Sequence, residues 1–401
     1  IVSAFFLIIS MPTKVKLVFS FLYNNEVRAF LFQLIALFAI AYFFYQAVDN
    51  MFINIESRGI TTGFGFLEAE SGFDIAEYLI DYSSNSTNLT VFYVGLINTI
   101  VVSVVGIFFA TLIGLIIGIA RLSNNWLIAK LAGGYIELFR NIPILLQILF
   151  WYNIALISFP HPKKSLEFFD SVFVNLRGIY MPKPIAEDGL VWVLIALITG
   201  IILMITMRRF FNKKHDNTGI KTHTAGYSLL LVIGLPSLVY FLLGSPLHFD
   251  YPTLKGFNFR GGMNLSPEFL SLAFALSVYT ATYIAEAIRS GIESVDKGQK
   301  EAAAAMGLTQ AQSLKLVVLP QALRVAIPPI INQYLNLTKN SSLAAAIGYS
   351  ELVSTFAGTV LNQVGQAVEI ILMTMAVYLT ISLIISLILN IVNHKMSIKG
   401  R

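Results

Sequence analysis

Residues 295–329, VDKGQKEAAAAMGLTQAQSLKLVVLPQALRVAIPP, hold a pattern whose chemistry is mechanical. Asp296 is placed to accept hydrogen bonds at a helix start, with Gln299 three residues on as its reciprocal partner. Residues 297–306 then favour helix, and Gly307 is the expected left-handed stop. Thr309 and Gln312 form a second capping box that opens another helix, while Pro320 and Pro328-Pro329 restrict the chain beyond it. The result is a short, separately capped helix with an alanine and methionine surface. A helix of that length is marginal alone in water, so it requires a groove on another protein to hold it.

A second set of residues could do electrostatic chemistry. Glu286 and Arg289 share a helix face at i, i+3, and Lys339-Asn340-Ser341-Ser342, Arg140-Asn141, Tyr283 and Asn98-Thr99 are polar groups within apolar runs. Ionisable side chains in such runs are costly and face the interior of a bundle or a pathway through it. They are candidates for contact with a charged solute. The competing reading is an ion pair for Glu286–Arg289, a helix-entry anchor for Arg140, and hydrogen bonding between helices for the rest. Other chemistries find no residues. Cysteine is absent, the five histidines have no paired ligand spacing, so no metal site is expected, and no GxxxxGK[ST] phosphate loop occurs.

The elements that must position these residues are membrane spans. The 401 residues are 56% hydrophobic and only 12% charged, with mean hydropathy +0.73. Soluble chains carry roughly 25% charged residues. Apolar runs give an all-α polytopic membrane bundle of about eight spans, near 28–48, 91–119, 138–158, 190–207, 227–244, 267–288, 325–349 and 367–392. With a cytoplasmic N-terminus, the inside segments hold 19 Lys/Arg and the outside segments 7, which places both termini in the cytoplasm. The net charge of +5 belongs to that bias and not to nucleic-acid binding. The first ten residues, IVSAFFLIIS, are too short to span and read as an extension before a working start near Met11. The acidic outer segment 49–90 is expected to hold short surface helices and no chemistry. Ala110, Gly114 and Gly118, four residues apart, allow close helix approach.

Glu301-Ala302-Ala303, three residues, Gly307, nine residues and Val317-Val318-Leu319-Pro320 resemble the EAA loop of ABC-importer permeases, with Val317 in place of the family's isoleucine. The resemblance implies a permease core whose coupling helix sits in a cleft of a cytoplasmic ATPase subunit. Gly307 would set the elbow, Glu301 would fix the helix start or reach a basic group of the partner, and Leu319-Pro320 would close the motif. ATP would be hydrolysed by that partner, with no cofactor on this chain and no enzymatic activity of its own.

Residues 280–300, 139–151 (FRNIPILLQILFW) and 339–343 (KNSSL) resemble segments of the permeases for polar amino acids. The resemblance covers about 91–151 and 265–392. The chain is longer than the small members by an insertion at 155–265, a layout similar to broad-range or glutamate/glutamine/aspartate/asparagine systems. It implies as partners a cytoplasmic ATP-binding subunit dimer, a second permease subunit, a periplasmic amino-acid-binding protein and the bilayer of the inner membrane. Asn98, Arg140, Tyr283, Glu286, Lys339, Asn340 and Ser341 are the candidate substrate pathway. The expected divisions are a cytoplasmic segment 1–27, a first span and periplasmic segment 28–90, a permease domain 91–392 with its coupling loop at 295–320, and a cytoplasmic tail 393–401. An ion-coupled secondary transporter, an intramembrane enzyme or a scaffold are the alternatives. The EAA pattern, the absence of a matched internal repeat and the absence of a catalytic constellation weigh against them.

Overall fold

The computed structural model describes residues 25–57, 59, 62–219 and 225–396. The expected start near Met11 and the residues 397–401 of the tail lie outside them. The chain divides into two compact units, Ile1–Phe66 with Leu361–Ile370, and Leu67–Val360 with Ile371–Arg401.

In the first unit, α1 (Asn25–Ser57) is apolar along its length and buries no residue, as a helix that meets lipid should. The Gly63 N–H donates to Glu369 Oε1 at 2.7 Å. In the second unit, α2 (Asn88–Arg121) is capped by the Thr87 hydroxyl. The helices α3 (Trp126–Asn141) and α4 (Ile144–Ser158) follow. Strands β1 (Leu166–Phe168), β2 (Val172–Asn175), β3 (Gly178–Met181) and β4 (Lys183–Ala186) then lead to α5 (Leu190–Thr218). After α6 (Ala225–Leu229), a π turn at Leu230–Gly234 and α7 (Leu235–Leu242), the chain forms β5 (Leu247–Asp250), β6 (Thr253–Lys255), β7 (Asn258–Arg260) and β8 (Met263–Leu265). Next come α8 (Pro267–Glu293), α9 (Lys297–Ala305), α10 (Gln310–Ser313), a π turn at Leu314–Val318 and α11 (Leu319–Asn340). A 3₁₀ turn at Ser341–Ile347, a π turn at Val353–Val360, α12 (Leu361–Val364) and α13 (Ala367–Met396) complete the order.

Among the described residues, six helices are long and apolar enough to cross a membrane, and the bent α3–α4 pair raises the number to seven. The remaining candidate, Gly226–Leu242, is apolar but short. The expected span 138–158 is broken by a bend of 102° between α3 and α4. Ile142 and Pro143 are extended there, because proline disfavours helical backbone in the residue before it. Segment 190–207 extends to a 29-residue helix.

The core of the second unit is α8 packed on α2, α11 and α4. Gly114 and Gly118 make this possible. A Cβ on Gly114 would lie 2.7 Å from Ile284, and one on Gly118 2.9 Å from the Ala285 carbonyl oxygen. Gly291 repeats the device against α11, 2.6 Å from the Ala322 carbonyl oxygen. Leu272, Leu276, Ile284, Leu337 and Val102 are fully buried in this seam.

The insertion departs from an all-α chain. Strands β1-β2-β3-β8 form one antiparallel sheet, and β4-β5 and β6-β7 form two-stranded ribbons. Pairing of Ile179 with Leu265 and of Lys183 with Asp250 ties the segment before α5 to the segment after α7. Tyr180, Phe173 and Phe259 stack over this junction with centroids 4.6 and 4.9 Å apart. Strands of three or four residues give no periodic signal, and the partners of β3 and β4 lie 60–90 residues away, so these segments read as loop.

Candidate functional site

The mechanical element folds nearly as its residues require. Asp296 Oδ1 accepts from the Gly298 N–H at 2.6 Å and opens α9. Gly307 has φ +75° and closes it. The Leu308 N–H reaches the Ala303 carbonyl at 3.1 Å and the Gly307 N–H reaches Ala304 at 2.9 Å, the paired bonds of a left-handed helix stop. The Thr309–Gln312 box forms with both reciprocal bonds. The first box does not: Gln299 Oε1 accepts from Gln321 Nε2 at 3.4 Å instead, which ties α9 to the base of α11. Glu301 lies in the second turn, so it does not fix the helix start as expected.

Every residue of α9 except Ala303 is exposed. Ala303 is 1% exposed and seats the helix, and Val295, Val318 and Ala322 form a small buried cluster with Ile292 at the two ends of the loop. Glu301 and Ala302 face out, and Met306 is 72% exposed beside the elbow. Leu319 and Pro320, also exposed, stand at the start of α11. Pro320 has no N–H to continue an α ladder. The preceding π turn carries the chain through, with the Leu319 N–H bonded to the Leu314 carbonyl. Pro328 and Pro329 are likewise accommodated inside α11 and do not end it.

The polar candidates fall into three places. Arg140, Tyr283 and Glu286 come together: the Arg140 guanidinium lies 5.2 Å from the Tyr283 ring centroid, and the Tyr283 and Tyr279 hydroxyls are 2.9 Å apart. Glu286 is paired with Arg289 at 2.5 Å, and Arg289 also bonds Glu293. Arg140 stands exposed in the last turn of α3, where a cation suits the helix dipole.

Asn98 is elsewhere and is spent on backbone. Its amide donates to the Glu77 and Ser350 carbonyls at 2.9 and 2.7 Å. Thr99 accepts from the Leu352 N–H at 3.1 Å. The third place is the end of α11. Ser341 is fully buried and donates to the Thr338 carbonyl at 2.7 Å. Asn340 is half-buried, and Lys339 is exposed and lines a cleft of about 460 Å³ with Ser342, Thr374, Tyr378 and Ser382.

Two carboxyl groups escaped the sequence reading. Glu351 has no solvent exposure and accepts from the Val353 N–H at 2.9 Å, the Ser354 N–H at 2.7 Å and the Tyr378 hydroxyl at 3.0 Å. Glu77 lies in the outer segment that was expected to hold no chemistry. Burial and then the neighbouring Glu268 carboxylate push its pKa up to about 8, against a bond from the Ser266 N–H. A glutamate just before a helical turn is a weak cap signal for Glu351; nothing local marks Glu77.

The family of binding-protein-dependent transport system inner membrane components matches residues 227–398. The putative amino-acid ABC transporter permease protein YhdX of Escherichia coli is 50% identical over 378 residues, 94% of this chain and 96% of its own. The general L-amino acid transport system permease protein AapQ of Rhizobium johnstonii is 47% identical over 382 residues, covering 95% of each chain. The glutamate/glutamine/aspartate/asparagine transport system permease protein BztB of Rhodobacter capsulatus is 38% identical over 411 residues, covering 95% of this chain and 96% of its own.

Proposed function

This chain belongs to the amino-acid permeases of ABC importers, multi-pass proteins of the inner membrane, and from that membership we propose how it works. It passes polar L-amino acids inward, in the substrate range named for its relatives: general L-amino acids, or glutamate, glutamine, aspartate and asparagine. A separate cytoplasmic ATPase dimer drives it, a second permease subunit pairs with it, and a periplasmic binding protein delivers the solute. The chain itself holds no nucleotide and hydrolyses none.

The observation that carries this reading is α9. It is a nine-residue helix capped at both ends, anchored by one buried alanine, with its other residues exposed. A helix so short gains its stability from what it packs against. Seated in an ATPase cleft, its displacement would pass through the Gln299–Gln321 contact and the Gly291–Ala322 approach into α11 and α8. Glu301, Ala302 and Ala303, Gly307, Leu319 and Pro320 are the coupling residues, with Glu301 free to meet a basic group because the helix start is capped by Asp296.

The relative direction of α2 and α8 supports the topology of about eight spans with cytoplasmic ends. Ser277 bonds the Gly106 carbonyl and Ile284 meets Gly114, so the two helices run parallel. Parallel helices need an odd number of crossings between them. The bent α3–α4 pair, α5 and the short helix Gly226–Leu242 make three. In this frame residues 91–392 are the permease domain, 155–265 its outer insertion with two spans, and 295–320 its cytoplasmic loop.

Within the pathway set, Arg140 with Tyr283, and Lys339 in its cleft, remain available to a solute. Asn98, Ser341 and Glu286 hold other groups of the protein. The test is reconstitution of this chain with its partner subunits in vesicles, with labelled glutamate, glutamine, aspartate and asparagine supplied on the receptor side. Uptake that requires internal ATP is expected; uptake that persists without ATP and collapses with the ion gradient would establish a secondary transporter instead.

A further inference from the structure

Beside α2 and α8 lies a cleft of about 410 Å³ that shares only Asn98 with the candidate pathway set and nothing with the coupling residues. Five parts of the second unit build it: the segment before α2, α2 itself, the β4 and β8 strands of the insertion, the start of α8, and the chain after α11. Glu77, Asn98, Lys183, Asn264, Phe269 and Tyr349 are among its lining. Its floor is held in place, since Asn98 ties the Glu77 and Ser350 carbonyls together and the Tyr349 hydroxyl donates to the Asn98 carbonyl at 3.3 Å.

The cleft holds a carboxyl oxygen with no partner. Glu77 Oε1 is buried and has no hydrogen-bond partner among the described residues. Native proteins rarely leave such an atom unpaired without a role for it. Glu268 adds a negative charge to its surroundings, and its own Oε1 is taken by the Tyr152 hydroxyl at 2.9 Å. The groups that act on the Glu77 carboxyl are its burial, Glu268 and the Ser266 N–H. Lys183 is not among them, although it is exposed in the lining of the same cleft. A carboxyl group and a cationic group therefore face one cleft without meeting, and an arriving ammonium would favour the ionised form of the carboxyl.

We propose that this cleft is an outer waiting site for the zwitterionic head of an α-amino acid, its ammonium on Glu77 and its carboxylate on Lys183. The assignment rests on the transport reading given above and adds a place to it. The segments that bring Glu77, Lys183 and Asn264 together are those that face away from the coupling loop in the proposed topology. A solute released by a receptor arrives on that side. Tyr349 and Phe269 supply the apolar wall, and the half-open cleft leaves the side chain of the solute unspecified, in keeping with a broad range. The insertion then has a function beyond filling space, since β4 and β8 supply one wall and β4 carries its cation, Lys183.

The absence of cysteine from the whole chain makes the test direct. Ala76 is exposed in the lining, and Ala76→Cys places a single thiol at the cleft. The assembled importer, without receptor, is labelled with a small thiol reagent in the presence of glutamate, glutamine, aspartate or asparagine. At about ten times the dissociation constant, roughly nine sites in ten are filled, so labelling should slow about tenfold. The keto acid 2-oxoglutarate, which lacks the ammonium, should give no protection. Glu77→Gln and Lys183→Met, each added to Ala76→Cys, should abolish protection; Lys183 is an exposed strand residue, so its variant tests the site even where Glu77→Gln fails to assemble. The same preparations are assayed for ATP-driven uptake. Uptake without protection, protection by the keto acid, or protection that survives both variants overturns the waiting site and leaves the transport reading intact. Loss of uptake of every amino acid by the unsubstituted complex refutes the transport reading itself.

Discussion

At position 351 a carboxylate sits out of solvent with three donors around it, two from the backbone and one from Tyr378. It holds the start of the π turn Val353–Val360 to α13, close to where Thr99 takes the Leu352 N–H. Glu351→Ala leaves those donors without an acceptor, at about 1–3 kcal/mol each where no water enters. The detergent-solubilised complex should unfold at markedly lower temperature, and Glu351→Gln, which keeps one acceptor oxygen, should lose less. Melting equal to wild type in both variants would remove Glu351 from the structural account. The glycines act at the same scale by what they omit. Gly114, Gly118 and Gly291 bring three helix backbones within reach, and their four-residue spacing in α2 was visible in the sequence. Asn98 and Ser341 show the converse: polar residues in apolar runs that satisfy backbone and leave nothing for a solute.

The element that matters most is the turn from α9 into α10. Gly307 adopts φ +75°, and no other atom would obstruct a side chain there. The strain of a substitution is therefore conformational and confined to the backbone, about 1–2 kcal/mol for an L-residue and more for a β-branched one. Gly307→Val should insert and assemble normally, hydrolyse ATP, and lose most coupled uptake, because the angle between α9 and α10 changes while the spans do not. Hydrolysis and uptake measured on the same vesicles decide it; an unchanged ratio of the two would show that the elbow does not transmit movement. The π turn before Pro320 belongs to the same device. It lets a proline stand at the foot of α11 without a break, so the loop helix and the span move as one piece from Gln310 onward. Pro320 and Pro328-Pro329, which the sequence marks as restricting the chain, all stand within α11.

For the whole molecule, direction is the testable quantity. If α2 and α8 both run inward, a thiol at Lys300 is reachable from the cytoplasm and one at Lys164 from the opposite side. Lys300→Cys and Lys164→Cys in the cysteine-free chain, labelled with an impermeant reagent in intact cells and in inverted vesicles, should react in opposite preparations. Reaction of both from one side would contradict the parity of crossings on which the topology stands. The insertion is closed by β3–β8 and β4–β5 pairing, and its helix pair α5 and Gly226–Leu242 packs closely enough that only glycine fits at position 200, where a Cβ would lie 2.1 Å from the Leu231 carbonyl oxygen.

By itself the sequence determined what depends on neighbours along the chain. Caps at Asp296, Thr309 and Gly307, the apolar length of the spans, the small-residue spacing in α2 and the motif from Glu301 to Pro320 are all local patterns, set by backbone hydrogen bonding and by transfer into lipid. Tertiary structure decided what depends on distant neighbours. Gln299 turned from Asp296 to Gln321, the chain bent at Pro143, short strands found partners across α5 to α7, Glu77 became half-buried and Glu351 fully buried. Burial and long-range pairing are properties of surroundings, and no spacing within a segment encodes them until the segments meet.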